Sequence, residues 1–500
     1  MELLLHPGSN GRTVAVCTLA ARRSRWVVRA TQRSPRPVVS WARAPAGSPS
    51  RGSAVTIREV AAFVARLSVD DLPPATLRRA REGLRDTVGV AVAGSTTSAA
   101  QAAARAFAED TGPFRTLVPG APRHGATGAA FRSAVAASAL DYDDGHYQGG
   151  AIHAASVIVP TILVAASTRP VDGDRLVEAH VAAYEVAMRL AHLLWPRDEA
   201  VDRWYCTGTA AAVGAAAGAA KVRGADEDGI RRALQIAWAH APMAALQWPM
   251  VKEAIGWSAV TALNACLLAE AGFMAGTGPG PVPDAPAIFP PTPFDEPRAA
   301  DDPFVTSLGT TFEIERSYLK PYPACRYTHT ALDVVGELLA DGLAPGEVDR
   351  ITVRTHRWAT FLDYRRPPSL EHAQYSYPFV LGTLLTHGRV TPVEMSDAAI
   401  ADPRVLARAD RVEVVHDPAL DAHLPDHYAT QVEVTLTSGR RIVCPPRLDA
   451  RGDLTRPLPE AELRAKLLAC VGPHLGDAAE PLADAFAAGA GSERLWELLG

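Results

Sequence analysis

No two cysteines in this 500-residue chain stand close enough to form a Cys-x-x-Cys pair. Six are present, Cys17, Cys206, Cys266, Cys325, Cys444 and Cys470, and their scatter argues against a zinc centre, an iron–sulfur cluster or a disulfide scaffold. A reducing compartment fits that usage, and the expected location is cytoplasmic. Long apolar runs are also missing. Stretches such as Thr207 to Ala220 are rich in Ala and Gly and shorter than a bilayer span, so they read as buried helices and no membrane segment is expected. Neither sign of charge dominates: a net charge of −5, with 48% hydrophobic and 21% charged residues, describes a folded soluble chain without a polyanion-binding surface. Nucleic acid is therefore not an expected partner. The length exceeds what one hydrophobic core usually supports, so two folding units are expected.

Acidic residues are nearly absent from the first fifty positions. Arg12, Arg22, Arg23, Arg25, Arg29, Arg33, Arg36, Arg43 and Arg51 face one acid, Glu2. That bias resembles a transit peptide, and Arg22-Arg23 resembles a twin-arginine signal, but no clean apolar stretch and small-residue cleavage site follow. Residues 1–53 are read as a disordered or targeting-like extension, or the product of an upstream start, outside the fold.

What is present is mostly helical periodicity. Thr56-Ile57-Arg58-Glu59 is a capping-box pattern followed by Ile57, Val60, Ala61, Val64 and Leu67 at helical spacing. Pro73-Pro74 opens a second helix. Further helices are predicted over Ala126 to Leu140, Ala155 to Ser167, Arg175 to Leu194, Ala210 to Val222, Asp226 to Ala239 and Ala254 to Phe273, many rich in small residues that let helices approach closely. Gly276 to Pro303, dense in Pro and Gly, reads as a loop. Beyond it Ile351 to Thr355, Val412 to Val414 and Val432 to Leu436 alternate with period two, and Ser438-Gly439 turns the last into Arg441-Ile442-Val443 as a hairpin. Helices are predicted over Thr328 to Leu339, Ser376 to Leu385 and within Pro459 to Leu499. The expected fold class is mainly α: a large all-helical domain over residues 54–316, an inserted smaller α+β domain over 317–450, and C-terminal helices, 451–500, returning to the first.

The residue cluster with most chemistry is Asp141-Tyr142-Asp143-Asp144-Gly145-His146, followed by His153. Crowded carboxylates repel one another, and a chain accepts that mainly where cations or a substrate are nearby. A solvated helix end or a divalent-ion loop explains the spacing equally well.

Ala137 to Asp144 with the following His resembles the "ALDFDD…HP" signature of the MmgE/PrpD family. Asp86-Thr87-Val88-Gly89, Tyr184-Glu185-Val186 with Arg189, Thr207-Gly208-Thr209 through Gly214-Ala215-Ala216, and Lys252 with Gly256 and Ala259 resemble family segments in the same order. Leu319-Lys320-Pro321-Tyr322-Pro323-Ala324-Cys325-Arg326 with His329 is close to its "KPYPACR…H" motif. The resemblance implies a large helical domain with a smaller α+β lid, a homodimer, and a site between lid and helical core. It also implies action on a small polycarboxylic acid, by dehydration, decarboxylation or epimerisation, with no metal or organic cofactor.

Such reactions develop carbanion character beside a carboxylate, and fixed cations must offset that charge. Lys252, Lys320 and Arg326 are the candidates to hold substrate carboxylates, Arg through its bidentate fork and Lys as a point charge. His153 is the expected proton-transfer residue, because imidazole titrates near neutrality, with Asp141 orienting or charging it. His146 is a weaker candidate, and His329 is expected to support the lid motif. The chain departs from the decarboxylase branch in four places: Gly145 stands for Thr, Tyr205 lies where many members have His, Phe379 occupies an apparent Tyr position, and Cys325 follows the dehydratase-type motif. Losing those proton donors favours a 2-methylcitrate dehydratase-like reaction over decarboxylation. An isomerase or epimerase and a non-catalytic carboxylate-binding protein remain the alternatives.

Overall fold

The computed structural model describes residues 2–7, 13–18, 55–147, 152–194, 206–242, 252–273 and 292–500. Residues 1–51 and 52–500 form separate compact units. In the first, strands β1 (Glu2–Pro7) and β2 (Thr13–Thr18) pair antiparallel.

Helix α1 (Ile57–Arg66) begins where the capping box places it: the Thr56 backbone amide donates to the Glu59 carboxylate, and Ile57, Val60, Ala61 and Val64 are buried. Pro74 occupies the first turn of α2 (Pro74–Gly94), where its missing N–H costs nothing. The short helix α3 (Ser98–Ala106), capped by Thr97, has no counterpart in the sequence expectation. Then come α4 (Ala126–Ser138), α5 (Ala155–Ala166), α6 (Gly173–Leu194), α7 (Cys206–Val222), α8 (Glu227–His240) and α9 (Lys252–Glu270), each overlapping an expected helix. Small residues bring them together: a Cβ at Gly218 of α7 would stand 2.8 Å from the Ile162 side chain of α5, and one at Gly214 would overlap the Ala183 carbonyl of α6.

The expected loop differs in its final part. Residues 276–291 lie outside the described residues, but Pro293–Asp295 and Pro297–Asp301 form short helical turns, because Thr292 caps the first and prolines fill the opening positions of both.

The strands follow the period-two reading. A four-stranded sheet runs in the order β4 (Val412–His416), β3 (Val348–Thr355), β5 (Thr430–Leu436), β6 (Arg441–Val443), with β3 and β4 parallel and the other pairs antiparallel. Burial of β5 alternates along the strand, and Gly439, with φ +82°, makes the turn to β6. The parallel crossover from β3 to β4 carries helix α11 (Tyr377–His387), and α10 (Arg326–Ala340) precedes β3. Helices α12 (Glu460–Leu475), α13 (Ala479–Ala487) and α14 (Ser492–Leu499) follow. A Cβ at Gly89 of α2 would meet Leu467 of α12 at 2.8 Å, so these two helices pack closely. One continuous hydrophobic core includes residues of α2, α6, α10, the sheet and α12. No described helix is long and apolar enough to cross a membrane.

Candidate active site

Helix α4 stops at Ser138, and the chain turns sharply through Asp141, whose φ of 49° is the one positive value at a described non-glycine residue. Aspartate tolerates this left-handed region better than most residues. The turn is held from outside: Gln374 Nε2 donates to the Ala139 carbonyl at 2.9 Å, and Lys320 Nζ donates to the Asp141 carbonyl at 2.8 Å. The Asp141 carboxylate receives Lys320 at 3.0 Å, the Tyr375 hydroxyl at 3.1 Å and Lys252 at 3.5 Å. Burial, the largest influence, pushes its carboxyl up, but the charges of Lys320 and Lys252 outweigh burial and hold it well below the usual carboxylate range. Asp141 is therefore ionised, and two lysines brought from positions far away in sequence share it.

His153 is buried beside this cluster. Its Nδ1 lies 2.6 Å from the Asp144 carbonyl oxygen, which can only accept, so Nδ1 carries the proton and Nε2 the lone pair. Burial first, then the Lys320 charge, lowers the imidazole's pKa, against the raising influence of Asp143 and Asp141. Asp143 Oδ2 is 4.0 Å from Nδ1. The His153 backbone amide donates to Thr207 Oγ1 at 3.0 Å, which ties the residue to the start of α7. Asp144 plays another part: it accepts from the Ala155 amide at 3.0 Å and the Tyr184 hydroxyl at 2.9 Å, pinning the start of α5, while burial and the Asp143 charge push its carboxyl up to about 7.

The remaining expected residues divide. Lys252 is the first residue of α9 and Lys320 is completely buried, both at Asp141. Cys325 is buried nearby, with burial pushing its thiol up to about 12, so it is not a thiolate. Arg326 is occupied by protein groups: Asp453 at 2.6 Å, the Ala450 and Arg451 carbonyls, Tyr147 and His329. It fastens the start of α10 to the segment before α12. His329 is buried there too, its Nε2 3.0 Å from the Ala324 carbonyl. His146 lies 3.4 Å from Glu313, and burial lowers its pKa. Phe379 is buried in α11. Tyr205 falls outside the described residues. Among the described residues, no group of three His, Cys, Asp or Glu side chains is placed to hold a metal ion.

Gly145 has a steric reason. It exchanges backbone hydrogen bonds with Tyr318, at 3.1 and 2.8 Å, and a Cβ at 145 would overlap Cζ and Oη of that ring. Tyr318, Gln374 and Tyr375 escaped the sequence reading. The first stands two positions before Lys320. The other two directly precede the helix that carries Phe379, and the hydroxyl that reaches Asp141 comes from 375 instead.

A mainly helical chain with a small mixed sheet, whose buried Lys–Asp–Lys cluster adjoins a neutral histidine, is thus the class defined by fold and site. The chain belongs to the MmgE/PrpD family: residues 58–286 match the MmgE/PrpD N-terminal domain and residues 322–486 the MmgE/PrpD C-terminal domain. It is similar to human cis-aconitate decarboxylase, 26% identical over 427 residues covering 81% of this chain and 85% of that protein. Cis-aconitate decarboxylase of Aspergillus terreus is 24% identical over 292 residues, 56% of this chain and 59% of its own. A third relative, 2-methylcitrate dehydratase of Cupriavidus necator, is 31% identical over 140 residues, 26% of this chain and 29% of its own.

Proposed function

We propose that this chain is a lyase that removes a proton next to a carboxylate of a small polycarboxylic acid and expels water, as a 2-methylcitrate dehydratase does. The observation that carries the reading is the neutral imidazole of His153, with its lone pair on Nε2, beside the cations at Asp141. Nε2 takes the α-proton and the electron pair forms a C=C bond as the C–O bond breaks. The imidazolium can return that proton to the departing hydroxyl when both lie on one face of the substrate. Lys252, which among the described residues donates to Asp141 at 3.5 Å, has hydrogen-bonding capacity left for a substrate carboxylate. Lys320 donates twice to Asp141 and serves instead to keep that carboxylate charged and in place. Chemistry of this kind runs on protein groups alone, with no cofactor.

Decarboxylation is the second reading, favoured by the similarity to human cis-aconitate decarboxylase over most of the chain. A homodimer belongs to the same proposal; Trp257 and Leu268 of α9, 48% and 41% exposed, offer apolar surface for it. Incubation with 2-methylcitrate, citrate and cis-aconitate in D2O, with products weighed by mass spectrometry and CO2 collected, tests the reading. Loss of water supports dehydration, CO2 release supports decarboxylation, and deuterium uptake without either points to epimerisation. No reaction with any of the acids would remove the lyase assignment.

A further inference from the structure

Lys466 is a buried cation that the proposed chemistry does not use. It sits on α12, remote in sequence from every motif that marks the site, yet its ammonium group meets the Asp141 turn. Nζ donates to the Tyr142 carbonyl at 3.0 Å, lies 3.8 Å from the centroid of the Tyr142 ring, and pairs with Asp86 of α2 at 2.7 Å. The other end of Tyr142 is fixed as well: its hydroxyl donates to the Pro321 carbonyl at 3.3 Å, next to Lys320. Tyr142 is thus held at carbonyl, ring and hydroxyl, between Asp141 with its left-handed backbone and Asp143 beside His153. A non-glycine residue persists in that conformation where its surroundings over-determine it. The aromatic face and the carbonyl oxygen both attract a cation, and desolvation strengthens both attractions.

We infer that Lys466 is a positioning residue for the active site: its charge fixes Tyr142, and through Tyr142 the carboxylate of Asp141 and the Asp144 carbonyl that sets the His153 tautomer. This rests on the lyase reading. The bland alternative is an ion pair with Asp86 that merely joins α2 to α12.

The double variant Asp86→Asn/Lys466→Met separates the two, because it removes both buried charges together and leaves neither unpaired. The expected result is a protein with nearly the wild-type thermal midpoint whose kcat is lower by about tenfold to a hundredfold, with KM changed by less than about threefold, the scale of a misplaced reacting group. Lys466→Arg, which keeps a cation at Tyr142, should recover most of kcat. Wild-type kcat in the double variant would overturn the inference, as would a loss of activity that merely tracks loss of folded protein. Wild-type enzyme is assayed first on the three acids. Silence there defeats the lyase reading, and this inference with it, whereas an active wild type beside an equally active double variant defeats the inference alone.

Discussion

Lys320 grips Asp141 twice, at the backbone carbonyl and at the carboxylate, so a single buried ammonium sets both the turn and its charge. Removing it leaves the buried Asp141 carboxylate with the more distant Lys252, at 3.5 Å, as its remaining lysine. Lys320→Met should therefore destabilise by about 3 kcal/mol in urea unfolding, and Asp141→Asn/Lys320→Met should not recover it, because buried Lys252 then loses its carboxylate as well. A single variant within about 1 kcal/mol of wild type would show that the pair is not desolvated.

His153→Asn removes the basic nitrogen. Turnover should fall by roughly a hundredfold or more while substrate affinity stays close to wild type, the pattern of lost acid–base catalysis. Normal turnover with weak binding would make His153 a carboxylate ligand. Because burial and Lys320 lower its pKa, the acid limb of kcat/KM for wild type should lie below the ordinary histidine value of 6.5.

Gly145→Ala should cost about 1–3 kcal/mol and most of the activity, since the new methyl group overlaps the Tyr318 ring. Tyr318→Leu on that background makes room and should restore stability. The Tyr318 hydroxyl is buried without a hydrogen-bond partner among the described residues, so Tyr318→Phe alone should raise the melting temperature or leave it unchanged. A clear fall in melting temperature would mean that the hydroxyl is satisfied in solution.

Two histidines set an acid weakness. Burial pushes His180 and His356 each down to about 4, below the reference value of 6.5. Between those values the unfolded chain binds more protons than the folded one, so their contribution is intact above about pH 6.5 and is lost as pH falls toward 4. His356 packs among Tyr327, Trp358 and Tyr428, and neither ring nitrogen has a hydrogen-bond partner among the described residues. His356→Phe should thus narrow the gap in unfolding midpoint between pH 7.5 and pH 5. An unchanged gap would mean that His356 is not held neutral.

Cys325→Ser should be mild in activity, because a thiol pushed up to about 12 is neither nucleophile nor base at neutral pH. Loss of turnover beyond about tenfold would give the sulfur a role in the reaction.

The helices and strands were legible because their signals are local: a capping box at Thr56, prolines at helix starts, alternation along β5. The helix Ser98–Ala106 was not, since it buries only Ala100 and Ala103 and leaves no apolar stripe to find. At the site, Asp141, His153, Lys252 and Lys320 were legible through the family resemblance, and the structure brings them together. Arg326 looked like a substrate clamp in the sequence because the motif shows its charge and hides Asp453, which lies far downstream. Tyr375 and Lys466 were invisible for the same reason. Nothing near either residue in the chain states what it touches.

The separation between Asp141 and Lys320 has a temporal side. The two are 179 residues apart, and Lys466 is 324 residues from Tyr142. At a ribosomal pace of about 5–20 residues per second, the carboxylate of Asp141 is made roughly ten to forty seconds before Lys320, the second of the two lysines that share it. Until both charges are present the turn has less reason to leave water, because an incompletely compensated carboxylate resists burial. Closure of this buried charge cluster is consequently a late event in the life of each new molecule, timed by the arrival of its second half.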